Sequence, residues 1–99
     1  MLKPVSVPST RPENTRVIGF LLVPRFSMIA FTSAIEPLRL ANRVSGRTLY
    51  EWRLFSGDGR PSRASNEVEI SVGGSYADAC GLHTAIVCSG LDVQNFNHR

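Results

Sequence analysis

No stretch of this sequence is apolar for the roughly 18 residues that a membrane-spanning helix needs. The opening segment, Met1 to Asn14, carries prolines and polar side chains where an export signal carries an apolar centre. A cytoplasmic location without membrane contact is therefore expected. Cysteine is scarce: Cys80 and Cys88 alone are too few for a disulfide framework, and both are read as free thiols. Lysine is scarcer still. Ten arginines and one lysine make up the 11 basic residues, for a net charge of +3, and the arginines are scattered from Arg11 to Arg99. Affinity for nucleic acid comes from neutralising several adjacent phosphates, so a chain without a basic stripe is not expected to read DNA by itself. Internal repeats and low-complexity tracts are absent.

What is present reads as one globular unit, with 42% hydrophobic and 19% charged residues in 99. Residues 1–15, with Pro4, Pro8 and Pro12 among Ser, Thr and Asn, are expected to form a flexible leader. Arg16 to Val23 is a short apolar run that fits a strand covered on both faces, ended by Pro24. Ser27 is an N-cap, and Met28, Phe31, Ile35 and Leu38 recur at helical spacing up to a stop at Gly46. Inside this helix Pro37 removes a donor and crowds the carbonyl of Ser33, which predicts a kink or break near Glu36. Tyr50 to Ser56 is the second strand, followed by a turn at Gly57, Asp58 and Gly59. Strand, helix and strand in that order make a right-handed parallel βαβ unit the default. From Arg63 to Val72 the residues alternate, with Val68, Ile70 and Val72 on one side, as in a half-exposed edge strand of a small hairpin. A helical turn is placed at Tyr76 to Cys80, a third buried strand at Thr84 to Cys88, and a further helix start near Asp92.

This inventory poses a physical problem. Two strands are apolar on both faces, yet one full helix is available to cover them, and a bare parallel sheet exposes more apolar surface than soluble monomers tolerate. The expectation is an incomplete domain or a covering partner, and the ending at Asn97, His98 and Arg99 within an apparent helix start favours the former.

Three segments, RVIGFLLVPRFSMIAFTSAIEPLRLANRVSG, YEWRLFSGDGRPSRASN and TAIVCSGLDV, together resemble the sensor domain of AraC-type transcription regulators, in the subgroup governing betaine, carnitine and arginine catabolism. That resemblance implies a PfpI-like fold of the class I glutamine amidotransferase type. It is an α/β, doubly wound, flavodoxin-like parallel sheet with a small antiparallel hairpin, of which residues 16–99 are the N-terminal portion. It also implies a DNA-reading helix-turn-helix module elsewhere in the protein, and homodimerisation of the full-length regulator. In the enzymes of this superfamily a nucleophilic cysteine follows the helix that begins near Asp92, beyond the end of this chain. Cys88, at the end of a buried strand, reads as a structural thiol. Where many members carry an acidic residue in the first turn of the first helix this chain has Ala30, and a methyl group cannot orient or protonate a thiol. A binding role without enzymatic activity is the leading reading; an amidase or peptidase fragment is the alternative.

Ligands of open parallel sheets bind beyond the carboxyl ends of the strands. Three loops qualify: Pro24 to Met28, Ser56 to Asp58, and Ser89 to Asp92. The expected binding residues are Phe26, Ser27, Met28, Ser89, Gly90 and Asp92, facing a small zwitterion such as a betaine or arginine. The amides of Ser89 and Gly90 suit its carboxylate, and Phe26 and Asp92 its cationic end. Each has a plainer role beside this one: core packing for Phe26 and Met28, a tight turn for Gly90, helix capping for Asp92. Glu36 sits roughly 13 Å down the helix from these loops, and is expected to pair with Arg39 instead. Cys80, His83, Cys88 and His98 are separated by a strand and make a poor metal set. No metal or cofactor is expected.

Overall fold

The computed structural model describes residues 14–90. They run β1 (Arg16–Leu22), α1 (Met28–Ser45), β2 (Tyr50–Ser56), β3 (Ser62–Arg63), β4 (Glu69–Ile70), β5 (Gly74–Ser75), a 3-10 turn (Tyr76–Asp78) and β6 (Thr84–Cys88). Four strands form one parallel sheet in the order β5-β2-β1-β6, while β3 and β4 make a separate antiparallel pair. The fold is the expected α/β one: a flavodoxin-like arrangement in which α1 covers one face of the sheet and the chain crosses the other on its way from β5 to β6.

The central strand is the most apolar, as an all-parallel sheet requires. Phe20 and Leu22 of β1 are fully buried and join Ile18, Phe26, Phe31, Ala64 and Cys88 in one core. Against them α1 lays its apolar face, with the Phe31 ring edge-on to Phe20 at 5.5 Å between centroids. Both helix ends are where the sequence puts them. The Ser27 hydroxyl accepts the Ala30 amide at 3.1 Å, and Gly46, at φ 70, donates its amide to Asn42. The break expected at Pro37 does not form; α1 is continuous through it. Pro37 and Ser33 are both exposed, so water can satisfy the carbonyl that loses its intrahelical donor.

The second face is less bare than the sequence suggests. Since Ile18, Phe20 and Leu22 point toward α1, the intervening positions point away from it. There Leu82 lies over Gly19 so closely that a β-carbon at Gly19 would come within 2.3 Å of it. Val17 and Phe55 are 2% and 5% exposed with no second helix present among the described residues. The path is anchored at each end: Tyr76 donates its hydroxyl to the Leu22 carbonyl at 2.7 Å, and His83 Nδ1 accepts the Val17 amide at 2.9 Å.

Three expectations need correction. β6 is not buried throughout: Thr84 and Ala85 are exposed and Val87 is 63% exposed, because among the described residues β6 pairs only with β1. The hairpin is shorter than Arg63 to Val72 and stands apart from the main sheet, with Ile70 and Val72 packed on the core and Val68 turned outward. Thr15, assigned to the leader, is buried and donates its hydroxyl to the Thr48 carbonyl at 2.7 Å. The rest of the leader, residues 1–13, and the helix start near Asp92 lie outside the described residues.

Candidate functional site

At the carboxyl end of the sheet, β1, β2 and β6 release their loops side by side. Leu22 pairs with Cys88, and Val23 donates its amide to the Cys88 carbonyl at 2.9 Å, so the first and third loops start from the same level. Ser27 then donates its amide to the Ser89 carbonyl at 3.1 Å. Gly90 sits so close to the Arg25 carbonyl that an added β-carbon would lie 2.3 Å from it. Glycine is thus required at position 90 by close backbone approach.

Of the expected binding residues, Ser27, Met28, Ser89 and Gly90 are brought together by these contacts. Ser27 spends its hydroxyl on the helix cap, and Met28 packs partly on the core. Phe26 needs a correction. It is 0% exposed and sits edge-on to Phe31 at 5.9 Å, so its ring has no open face to offer a cation and acts as a core anchor for the loop. Asp92 lies outside the described residues.

The first two loops border a cleft of about 370 Å³ lined by Leu22, Pro24, Ser56, Gly57, Asp58, Pro61, Ser62 and Arg63. Its size suits a small metabolite. Asp58 accepts the Arg60 amide at 3.0 Å, a bond that holds its carboxyl below the ordinary aspartate value. Ser56, beside it, donates to the Arg60 carbonyl at 2.6 Å. Arg63, which also lines the cleft, donates to Glu69 at 2.9 Å and to Glu67 at 3.1 Å, and these bonds raise its pKa. Arg25 ties the loop after β1 to the hairpin: it takes φ 67, donates its amide to the Arg63 carbonyl at 2.8 Å, and approaches Glu67 at 3.8 Å. Arg63 and Arg25 were not singled out from the sequence, because dispersed arginines gave no signal until the hairpin folded back against the loop after β1. The remaining features match their plainer readings. Glu36 pairs with Arg39 at 2.9 Å, which lowers its pKa, and Cys88 is buried with its thiol pKa pushed up by desolvation.

No protein-family profile matches the chain. Among curated proteins it is 42% identical over 89 residues to the HTH-type transcriptional regulator GbdR of Pseudomonas aeruginosa, a match covering 88% of this chain and 24% of that protein. It is 34% identical over 82 residues to the HTH-type transcriptional regulator GlxA of Rhizobium meliloti, covering 83% of this chain and 25% of GlxA. CdhR of Pseudomonas aeruginosa, another HTH-type regulator, is 48% identical over 56 residues, covering 57% of this chain and 16% of CdhR. The chain spans about a quarter of the length of GbdR and GlxA. Among solved structures, an AraC family transcriptional regulator from Pseudomonas putida superposes with a TM-score of 0.69 at 28% identity, over 78% of this chain and 48% of that one. In sequence and in fold, the chain is homologous to part of the AraC-type transcription regulators of the GlxA kind, proteins named as regulators and not as enzymes.

Proposed function

We propose that this chain is part of the ligand-sensing and dimerising domain of an AraC-type regulator of amino-acid or methylated-amine catabolism, with DNA reading assigned to a separate helix-turn-helix module. The ligand is a small zwitterion, bound at the carboxyl ends of the strands. One observation carries this reading: Asp58 and Arg63, residues of opposite charge, both line the strand-end cleft. A molecule with a cationic or methylated nitrogen at one end and a carboxylate at the other meets opposite charges in that cleft. Arg25, Ser27 and Met28 would extend the site along the loop between β1 and α1, Ser89 and Gly90 along the loop after β6, and the proposal keeps Asp92 as a further carboxylate for the cation. Phe26 holds that loop in place from the core. The burial of Cys88 supports binding without catalysis, since a desolvated thiol is a poor nucleophile.

Calorimetry on the whole protein with glycine betaine, dimethylglycine, carnitine and arginine tests this. At least one binds, and Arg63→Gln or Asp58→Asn weakens it about tenfold or more, the scale of one charge-assisted hydrogen bond. Binding by none of the four, or binding indifferent to both substitutions, contradicts the assignment.

A further inference from the structure

Among the described residues, two that are not glycine take a left-handed backbone: Arg25 at φ 67 and Glu67 at φ 77. That conformation crowds a β-carbon against the backbone, so each position costs stability that glycine would not. The two residues lie far apart in the chain, yet their charged groups meet. Arg25 Nη1 stands 3.8 Å from one carboxylate oxygen of Glu67, while the other oxygen accepts from Arg63 Nη1 at 3.1 Å. One carboxylate is thus bridged by two guanidiniums, one facing each oxygen. Main-chain bonds set this arrangement independently of the charges. Arg25 donates its amide to the Arg63 carbonyl at 2.8 Å and Ser65 donates to the Phe26 carbonyl at 2.9 Å, which zips the loop after β1 to the hairpin. The turn carrying Glu67 is closed by Ala64 and Val68, and by Glu67 and Ala64, each at 2.9 Å.

The ion pairs add little to the fold. All three side chains are more than half exposed, and pairs in that setting are screened by water and salt. Among the described residues the Arg25 guanidinium meets only Glu67, at a distance too long for a hydrogen bond, so its donors are uncommitted. Arg63 is tied to Glu69 as well, at 2.9 Å, and still has N–H groups to spare. A cluster that only pinned the hairpin would give no reason for a strained arginine at position 25, since main-chain bonds already pin it. Strain at a charged residue beside a cleft points instead to a use for the side chain. Arg63 lines the strand-end cleft, and Arg25 directly follows Pro24, which lines it too. Because Glu67 is held weakly and faces solvent, an incoming carboxylate can take its place at low cost, and two guanidiniums then bind it.

We propose that Arg25 and Arg63 form a clamp for the carboxylate of a small molecule, and that Glu67 is an internal competitor that fills the clamp until that carboxylate displaces it. The proposal rests on the zwitterion reading above for the identity of its ligand; the clamp itself is tested with acetate, a bare carboxylate. In NMR of the whole protein labelled with 15N-arginine, acetate replaces chloride at constant ionic strength. The side-chain Nε signals of Arg25 and Arg63 are expected to shift together and to saturate. Glu67→Gln is expected to lower the half-saturating acetate concentration about three- to tenfold, and Glu67→Gly, which suits φ 77, to do the same without straining the turn. Arg25→Gly relaxes φ 67 and is expected to raise it about tenfold or more, at a melting point no lower than that of the wild type. A response that never saturates, that ignores both Glu67 variants, or that is unchanged in Arg25→Gly overturns the clamp. A zwitterion that binds while acetate leaves both guanidiniums unmoved also overturns the clamp and leaves the zwitterion reading standing. Saturable acetate binding with the expected variant effects, but no binding by any of the four zwitterions, leaves the clamp standing and overturns that reading.

Discussion

The side-chain amide of Asn42 donates to the Tyr50 carbonyl at 2.9 Å and accepts the amides of Leu49 and Tyr50 at 2.8 and 3.0 Å. It ties the last turns of α1 to the first residue of β2 and so fixes the register at which the helix hands the chain back to the sheet. Asn42→Ala leaves these part-buried backbone groups short of partners, and urea unfolding is expected to show a loss of about 1–3 kcal/mol. Asp58 shows a different residue-scale effect. Its folded pKa is depressed, chiefly by the Arg60 amide, so the stability it contributes is present above the ordinary aspartate value and is lost as pH falls through the folded value. Melting temperatures of the wild type and Asp58→Ala are expected to differ at neutral pH and to converge in acid; a gap that persists in acid contradicts this linkage. Neither role was legible in the sequence. Asn42 stood inside a recognisable string without an assigned partner, and Asp58 stood in a glycine turn. Both depend on contacts formed only after the chain doubles back. Ser27 and Gly46 were legible, because a helix cap is satisfied within a few residues of itself.

At the scale of elements, periodicity located β1, α1, β2 and β6 to within a residue or two, since each has a continuous apolar run or a clear helical face. It did not find β5, whose residues Gly74 and Ser75 have no pattern and are strand only because Phe55 and Ser56 offer them an edge. Nor did it show that β6 is an edge strand in this chain, as that depends on its neighbours and not on its composition. Pro37 was read as a kink or break, and the helix is unbroken there. Phe31, Ile35 and Leu38, on either side of it, pack on the core and favour continuity, and the exposed Ser33 leaves the freed carbonyl open to solvent. Pro37→Ala is accordingly expected to stabilise the domain by about 1–3 kcal/mol by chemical denaturation, with the helix otherwise unchanged.

For the whole molecule, the parallel sheet and the helix that covers it among the described residues could be anticipated; the cleft beside the strand-end loops is lined by none of the six expected binding residues. The composition of that site could not be anticipated. Of its two charged lining residues, Asp58 lay in an anticipated loop, while Arg63 arrives from a hairpin that the sequence placed only on an edge. The anticipated aromatic, Phe26, turned inward to complete the core. The apolar side chains still exposed on the far edge, Val87 above all, mark where further chain or a partner would add its layer. The account stands or falls on where a zwitterion binds. Amide NMR of the whole protein, selectively 15N-labelled and titrated with whichever of the four compounds calorimetry finds to bind, is the most direct test. The account predicts saturable shifts at Gly57, Asp58, Arg63, Ser89 and Gly90, with Trp52 and Ile70, which border a separate groove beside α1, unmoved. Shifts confined to Trp52 and Ile70, or absent from the strand-end loops, contradict it.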